Sequence, residues 1–248
     1  MNGSQFKKLV KFNLFVFSKE TLFNVFSLLF PCVFLTSLMF VYQMYHISKE
    51  DVTNSIPIAS FLSGFFILFF NINRQFLTEK EQGLHKLLSL SGVNARHIVF
   101  AHILRGLMLG VIAVLEICLI AVWYFNVSVS NYLLIFLISY LFIIFALLLV
   151  GLVSSNVFKS VAQATPFIVL TFFSTVFLSN VFTPIERIPH IMYPVVYANP
   201  MYHMNQLLVC VWNGRLNDPS LLLSITYLIM IIVCCVLLIY RNEVKKDK

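Results

Sequence analysis

Long apolar runs alternate with short polar intervals along this chain. The runs fall at 21–42, 56–72, 98–124, 132–153, 164–181 and 221–240. Each is long enough, as a helix rising 1.5 Å per residue, to cross roughly 30 Å of hydrocarbon. The pattern predicts an all-α polytopic membrane protein, with six transmembrane helices in a single domain over 1–248. Three intervals depart from plain loops. Residues 5–20 place Lys7, Lys8 and Lys11 on one arc and Phe6, Leu9, Val10 and Phe12 on the other, which predicts an interfacial amphipathic helix within 1–20. In the insert 74–97, Leu77, Leu84, Leu87, Leu88 and Ser91 share one helical face. Glu79, Lys80, Glu81, Gln82, His85 and Lys86 fill much of the remainder. That predicts an amphipathic helix too charged to span, with Gly83 loosening its start and Gly92 as a C-terminal cap. The segment 182–218 is apolar yet broken by Pro184, Pro189, Pro194 and Pro200. It predicts two short helices that dip into the outer leaflet and return, the alternative being an extracellular loop with a hydrophobic face.

Composition supports the class: 60% of residues are hydrophobic and 11% charged. Twenty-six Phe against eight Gly predict lipid-facing helices with bulky surfaces rather than tight glycine-packed dimers. The net charge of +7 is explained by orientation, without a nucleic-acid partner. With both termini in the cytoplasm, of the seventeen Lys and Arg only Lys49, Arg187 and Arg215 fall outside. The five cysteines include no C-x-x-C pair and read as small buried hydrophobes, with no metal role. No cleavable signal is expected in the Lys-interrupted start.

The chemistry-bearing motifs are few. There is no P-loop, no H-E-x-x-H and no G-x-S-x-G, and the cytoplasmic intervals are too short for a catalytic domain. The chain reads as no enzyme and binds no cofactor of its own. Work would draw on a partner or an ion gradient. Glu116 is the only acidic residue well inside a run. It is either part of a translocation path or a group near the outer end that reaches water or a neighbouring helix. His97, His102 and Arg105 read as interfacial, snorkelling side chains.

Three stretches, taken together, resemble a known family. They are the basic amphipathic start; Glu79-Lys80-Glu81-Gln82-Gly83-Leu84 leading to Ser91-Gly92-Val93; and Phe182-Thr183-Pro184-Ile185-Glu186-Arg187-Ile188-Pro189 followed by Asn199-Pro200-Met201-Tyr202. Their order and positions resemble the membrane subunits of type-2 ABC exporters, the ABC-2 permeases. Where many members have Gly-Thr-Leu, this chain has Gly83-Leu84-His85. A narrower resemblance, to permeases exporting amphipathic cytolytic peptides of the phenol-soluble modulin kind, rests on the small, Phe-rich, Lys-based character.

The resemblance implies a permease in the plasma membrane, paired with a second identical or homologous permease. A separate ATPase subunit, carrying ATP and Mg, would dock on the insert as a coupling helix. Glu79, Lys80, Glu81, Gly83, Leu84, His85, Leu87, Leu88 and Lys159 would form the coupling surface. Pro184, Glu186, Pro189, Asn199, Pro200 and Tyr202 would form an outer gate. The exported substrate would be an amphipathic peptide, a lipid or a drug. Two further readings stay open: a gradient-driven transporter that uses Glu116, and a non-transporting sensor or immunity module.

Overall fold

The computed structural model describes residues 21–45, 49–90, 95–158, 160–179, 181, 185 and 188–246. Every regular element among them is helical. In order they are α1 (Thr21–Met44), α2 (Lys49–Phe66), a π-helical segment (Ile67–Ile72), α3 (Asn73–Glu81), α4 (Leu84–Leu90), α5 (Ala95–Trp123), α6 (Leu133–Val157) and α7 (Val161–Phe177). A 3-10 turn (His190–Met192) then leads to α8 (Tyr193–Tyr197), α9 (Pro200–Trp212) and α10 (Pro219–Lys246). Among the described residues four helices, α1, α5, α6 and α10, are long and apolar enough to cross a membrane. Two shorter apolar stretches, Val52–Phe66 and Val161–Phe173, lie in α2 and α7. The amphipathic start at 1–20 lies outside the described residues.

The polar insert differs from its expected form. No helix end separates the second apolar run from the insert: both Phe66 and Asn73, flanking the π segment, have right-handed helical backbone. One winding therefore runs from Lys49 to Glu81. The chain breaks at Gly83, whose φ of 75° suits glycine. The Gly83 N–H bonds the Lys80 carbonyl, and the Gly83 carbonyl accepts from Lys86 and Leu87 to start α4. The expected single helix is thus an elbow. Its first arm belongs to the second apolar helix and its second arm is α4. Ser91, Gly92 and Val93 lie outside the described residues.

The core lies where α2, α5, α6 and α9 meet, around Phe61, Phe65, Phe136, Tyr140, Ile144 and Leu208. Small residues make this close approach possible. Ideal Cβ atoms built at Gly106 and Gly110 of α5 would meet Leu148 and Ile144 of α6, and one at Gly64 of α2 would meet Ile144 and Tyr140. Gly106 and Gly110 stand four apart on one helical face and admit a neighbouring helix of the same chain.

The bundle has two recognisable ends. At one, Phe40 meets Phe125 edge-on with centroids 6.5 Å apart, Asn213 Nδ2 donates to Asn54 Oδ1 at 2.8 Å, and Ser130 Oγ donates to the Trp212 carbonyl. At the other, the α3–α4 elbow meets the end of α6 and the start of α7. α9 lies inside the bundle, touching α2, α6, α7 and α10, with most of its length buried.

Candidate functional site

The elbow is built from α3, whose face of Asn73, Gln75, Phe76, Leu77 and Glu79 is buried although its composition is polar. The helical period carried over from α2, together with the wide π turn, points this face at α6. A π turn adds a residue and rotates the downstream helix by roughly 100°. Asn73 lies against Gly151 of α6, in a notch that any Cβ at Gly151 would fill. Phe76 is the centre of a small cluster with Ile98 and Leu152. Its ring meets His85 at 4.7 Å and His102 at 4.8 Å.

The three charges of the Glu-Lys-Glu motif each turn to the chain itself. Glu79, 7% exposed, has its carboxylate 3.5 Å from His85 Nε2 on α4. Lys80 Nζ donates to the Ser155 carbonyl in the last turn of α6 at 2.8 Å. Glu81 Oε2 accepts from the backbone N–H of Val161, the first residue of α7, at 3.0 Å. Leu84, His85 and Leu88 are half-buried beneath the elbow. Leu87 and Leu90 are 62% and 86% exposed, flanked by exposed Lys86 and Ser89. α4 therefore shows a small apolar face, rimmed by polar groups, beyond the body of the bundle.

Helix α5 brings His102 and Arg105 into the same region. Both are buried, not snorkelling as the sequence reading expects, and neither His102 ring nitrogen has a hydrogen-bond partner among the described residues. Gln75 is likewise buried, its amide without a partner among the described residues. A continuous helical period through position 73, with no breaker before Gly83, is the sequence signal that would have found this polar layer. Lys159 lies outside the described residues.

These features sit in a chain whose residues 4–212 match the family model for the ABC-2 type transporter. The chain belongs to the ABC-2 type transporter family. It is therefore an integral membrane protein of transport, from a family of membrane components that work with an ATPase rather than catalysts themselves. No individual curated protein matches the chain.

The ABC-2 chain's other sequence-marked residues separate into two places. Glu116 of α5 faces α1, where the Cys32 thiol lies 3.9 Å from its Oε2. It is half-buried and far from the elbow. The Asn199-Pro200-Met201-Tyr202 stretch starts α9. Asn199 Oδ1 caps it by accepting from the Met201 N–H at 3.0 Å, and Pro200 takes the first helical position. Asn199 Nδ2 donates to the Leu178 carbonyl at 3.2 Å, and Asn205 Nδ2 to that of Ser179, also at 3.2 Å. These bonds tie the end of α7 to α9. Tyr202 is buried among Ile188 and Val196 and meets Tyr197 edge-on at 5.4 Å. Pro189 leads into the 3-10 turn. Pro184 and Glu186 lie outside the described residues.

Proposed function

We propose that this ABC-2 protein is the permease subunit of an ATP-driven exporter, with six spans and both termini in the cytoplasm. Its energy comes from a separate P-loop ATPase that docks on α4 at the cytoplasmic end. The observation that carries the reading is the elbow: in a membrane chain, Leu87 and Leu90 project from a short polar-rimmed helix outside the bundle. A second permease pairs with it, and closure of the ATPase dimer rocks the two membrane domains about a central path. The cargo is hydrophobic or amphipathic, with amphipathic peptides the favoured class. The bonds from Asn199 and Asn205 to the end of α7 support short re-entrant outer helices that gate release.

The test is affinity purification of the tagged chain in mild detergent from its own cells. A stoichiometric P-loop ATPase should accompany it, and Leu87→Asp with Leu90→Asp should remove that ATPase while the chain stays in the membrane fraction. Absence of any ATPase from the unaltered chain would refute the reading. A second reading draws on the Glu116–Cys32 pair: transport driven by an ion gradient. It predicts that Glu116→Gln abolishes transport whether or not an ATPase is present.

A further inference from the structure

We infer that the Glu-Lys-Glu motif is not itself a partner-binding surface. It acts as a three-way bracket inside the chain, joining the elbow to the ends of α6 and α7 so that they move as one body. The inference rests on the proposed docking of an ATPase at α4, and it assigns the three charges a different task from the one their resemblance implies.

The chemistry of each contact matches what a helix terminus lacks. The last four carbonyls of a helix have no intrahelical donor, and that end carries partial negative charge. The Ser155 carbonyl is one of these in α6, and the Lys80 ammonium supplies a donor at 2.8 Å. The first N–H groups of a helix lack acceptors, and that end carries partial positive charge. The Val161 N–H is the first of these in α7, and the Glu81 carboxylate supplies an acceptor at 3.0 Å. Lys80 and Glu81 are successive residues, about 100° apart around α3, so one turn of helix reaches both ends of the α6–α7 junction. Glu79, pairing with His85 at 3.5 Å, fixes α4 to the same turn. A push on the exposed leucines of α4 thus has a bonded route to α6 and α7 that bypasses the loop between them. Lys80 and Glu81 are positioning residues: they act through the helices they hold.

The bracket requires a donor at 80 and an acceptor at 81, whereas a partner contact made through the Glu81 charge would be lost in Glu81→Gln. The variants Lys80→Met and Glu81→Met remove the bonds. Lys80→Arg and Glu81→Gln keep a donor and an acceptor. Hydrogen exchange of the purified chain reads the bracket directly, with no ATPase needed. The Val161 amide should exchange roughly five- to tenfold faster in Glu81→Met, on the scale of one lost hydrogen bond, and stay near the unaltered rate in Glu81→Gln.

The assembled complex reads its task. Maleimide labelling of a cysteine at Val157 should change when ATP and vanadate are added. That response should vanish in both Met variants and persist in Lys80→Arg and Glu81→Gln, with the ATPase co-purifying throughout. Equal exchange at Val161 in every variant would overturn the bracket. So would loss of the ATPase from the Met variants, or an unchanged labelling response. If the unaltered chain brings down no ATPase, the docking proposal falls and the exchange measurement still decides the bracket.

Discussion

At the scale of single residues, the closest packing in the polar layer is the notch at Gly151. Any Cβ there lands on the buried Asn73 carboxamide, which has no hydrogen-bond partner among the described residues. Gly151→Ala should therefore lower stability by about 1–3 kcal/mol, the usual cost of overpacking. Asn73→Ala in the same chain should recover most of the loss, as a double-mutant cycle of thermal unfolding in detergent would show. A second residue-scale prediction concerns Asp218. It precedes α10, and its Oδ1 accepts from the Ser220 N–H at 2.9 Å, with Pro219 at the first helical position. Hydrogen bonds from the Ser220 side chain and backbone hold its carboxyl below the ordinary range. Because the folded pKa is depressed, the cap's stabilisation is present above the unfolded value near 4 and is lost as pH falls through the lower folded value. The melting-temperature gap between the unaltered chain and Asp218→Ala should be flat above pH 5 or so and close below pH 4, remaining small because the group is exposed. Little of this was legible beforehand. A glycine notch depends on which helix faces it, and Asn73 reads as the start of a polar insert until the bundle is assembled.

At the scale of elements, the apolar runs marked the helices, because a membrane helix must satisfy its own backbone and bury an apolar surface. The helix ends were less visible. Hydropathy falls at 73, but the winding does not stop until Gly83, because Asn73, Phe76 and Glu79 continue the inward face. The Asn199-Pro200 pair was readable as a marker and proved to be a helix cap, a local rule that sequence can express. The inward contacts of Lys80 and Glu81 were not readable, since the same Glu-Lys-Glu pattern suits a solvated face or a bracket. The elbow itself makes a prediction. A Cβ at Gly83 would meet nothing within 4 Å, so the glycine serves its φ of 75° alone. Gly83→Ala should cost roughly 1–2 kcal/mol in the bent form and favour one straight helix through α3 and α4. Straightening swings Leu87 and Leu90 away from their present positions. ATPase co-purification should then drop with Gly83→Ala and hold better with Gly83→Asn, since asparagine tolerates the left-handed conformation.

At the scale of the whole molecule, orientation in the membrane decides whether the elbow can meet an ATPase at all. The two ends of the bundle differ in charge. The elbow end gathers Arg74, Lys80, Lys86 and Arg105, while the opposite end, near Asn54, Asn213 and Ser130, has Lys49 and Arg215 among the described residues. Segments rich in Lys and Arg stay in the cytoplasm during insertion, which is the ground on which we propose that the elbow end faces inward. Ser128, exposed between α5 and α6, and Ser89, exposed on α4, mark the two ends with small side chains whose replacement disturbs no core packing. In a background with the five native cysteines replaced, a membrane-impermeant maleimide should label Ser128→Cys on intact cells and Ser89→Cys only after permeabilisation. Five cysteine replacements test the fold as well as the topology, since Cys210 and Cys235 are buried, so the background must first retain normal membrane insertion. The reverse pattern would put Leu87, Leu90 and the bracket on the outer face, away from ATP, and would turn the question to the gradient-driven reading through Glu116.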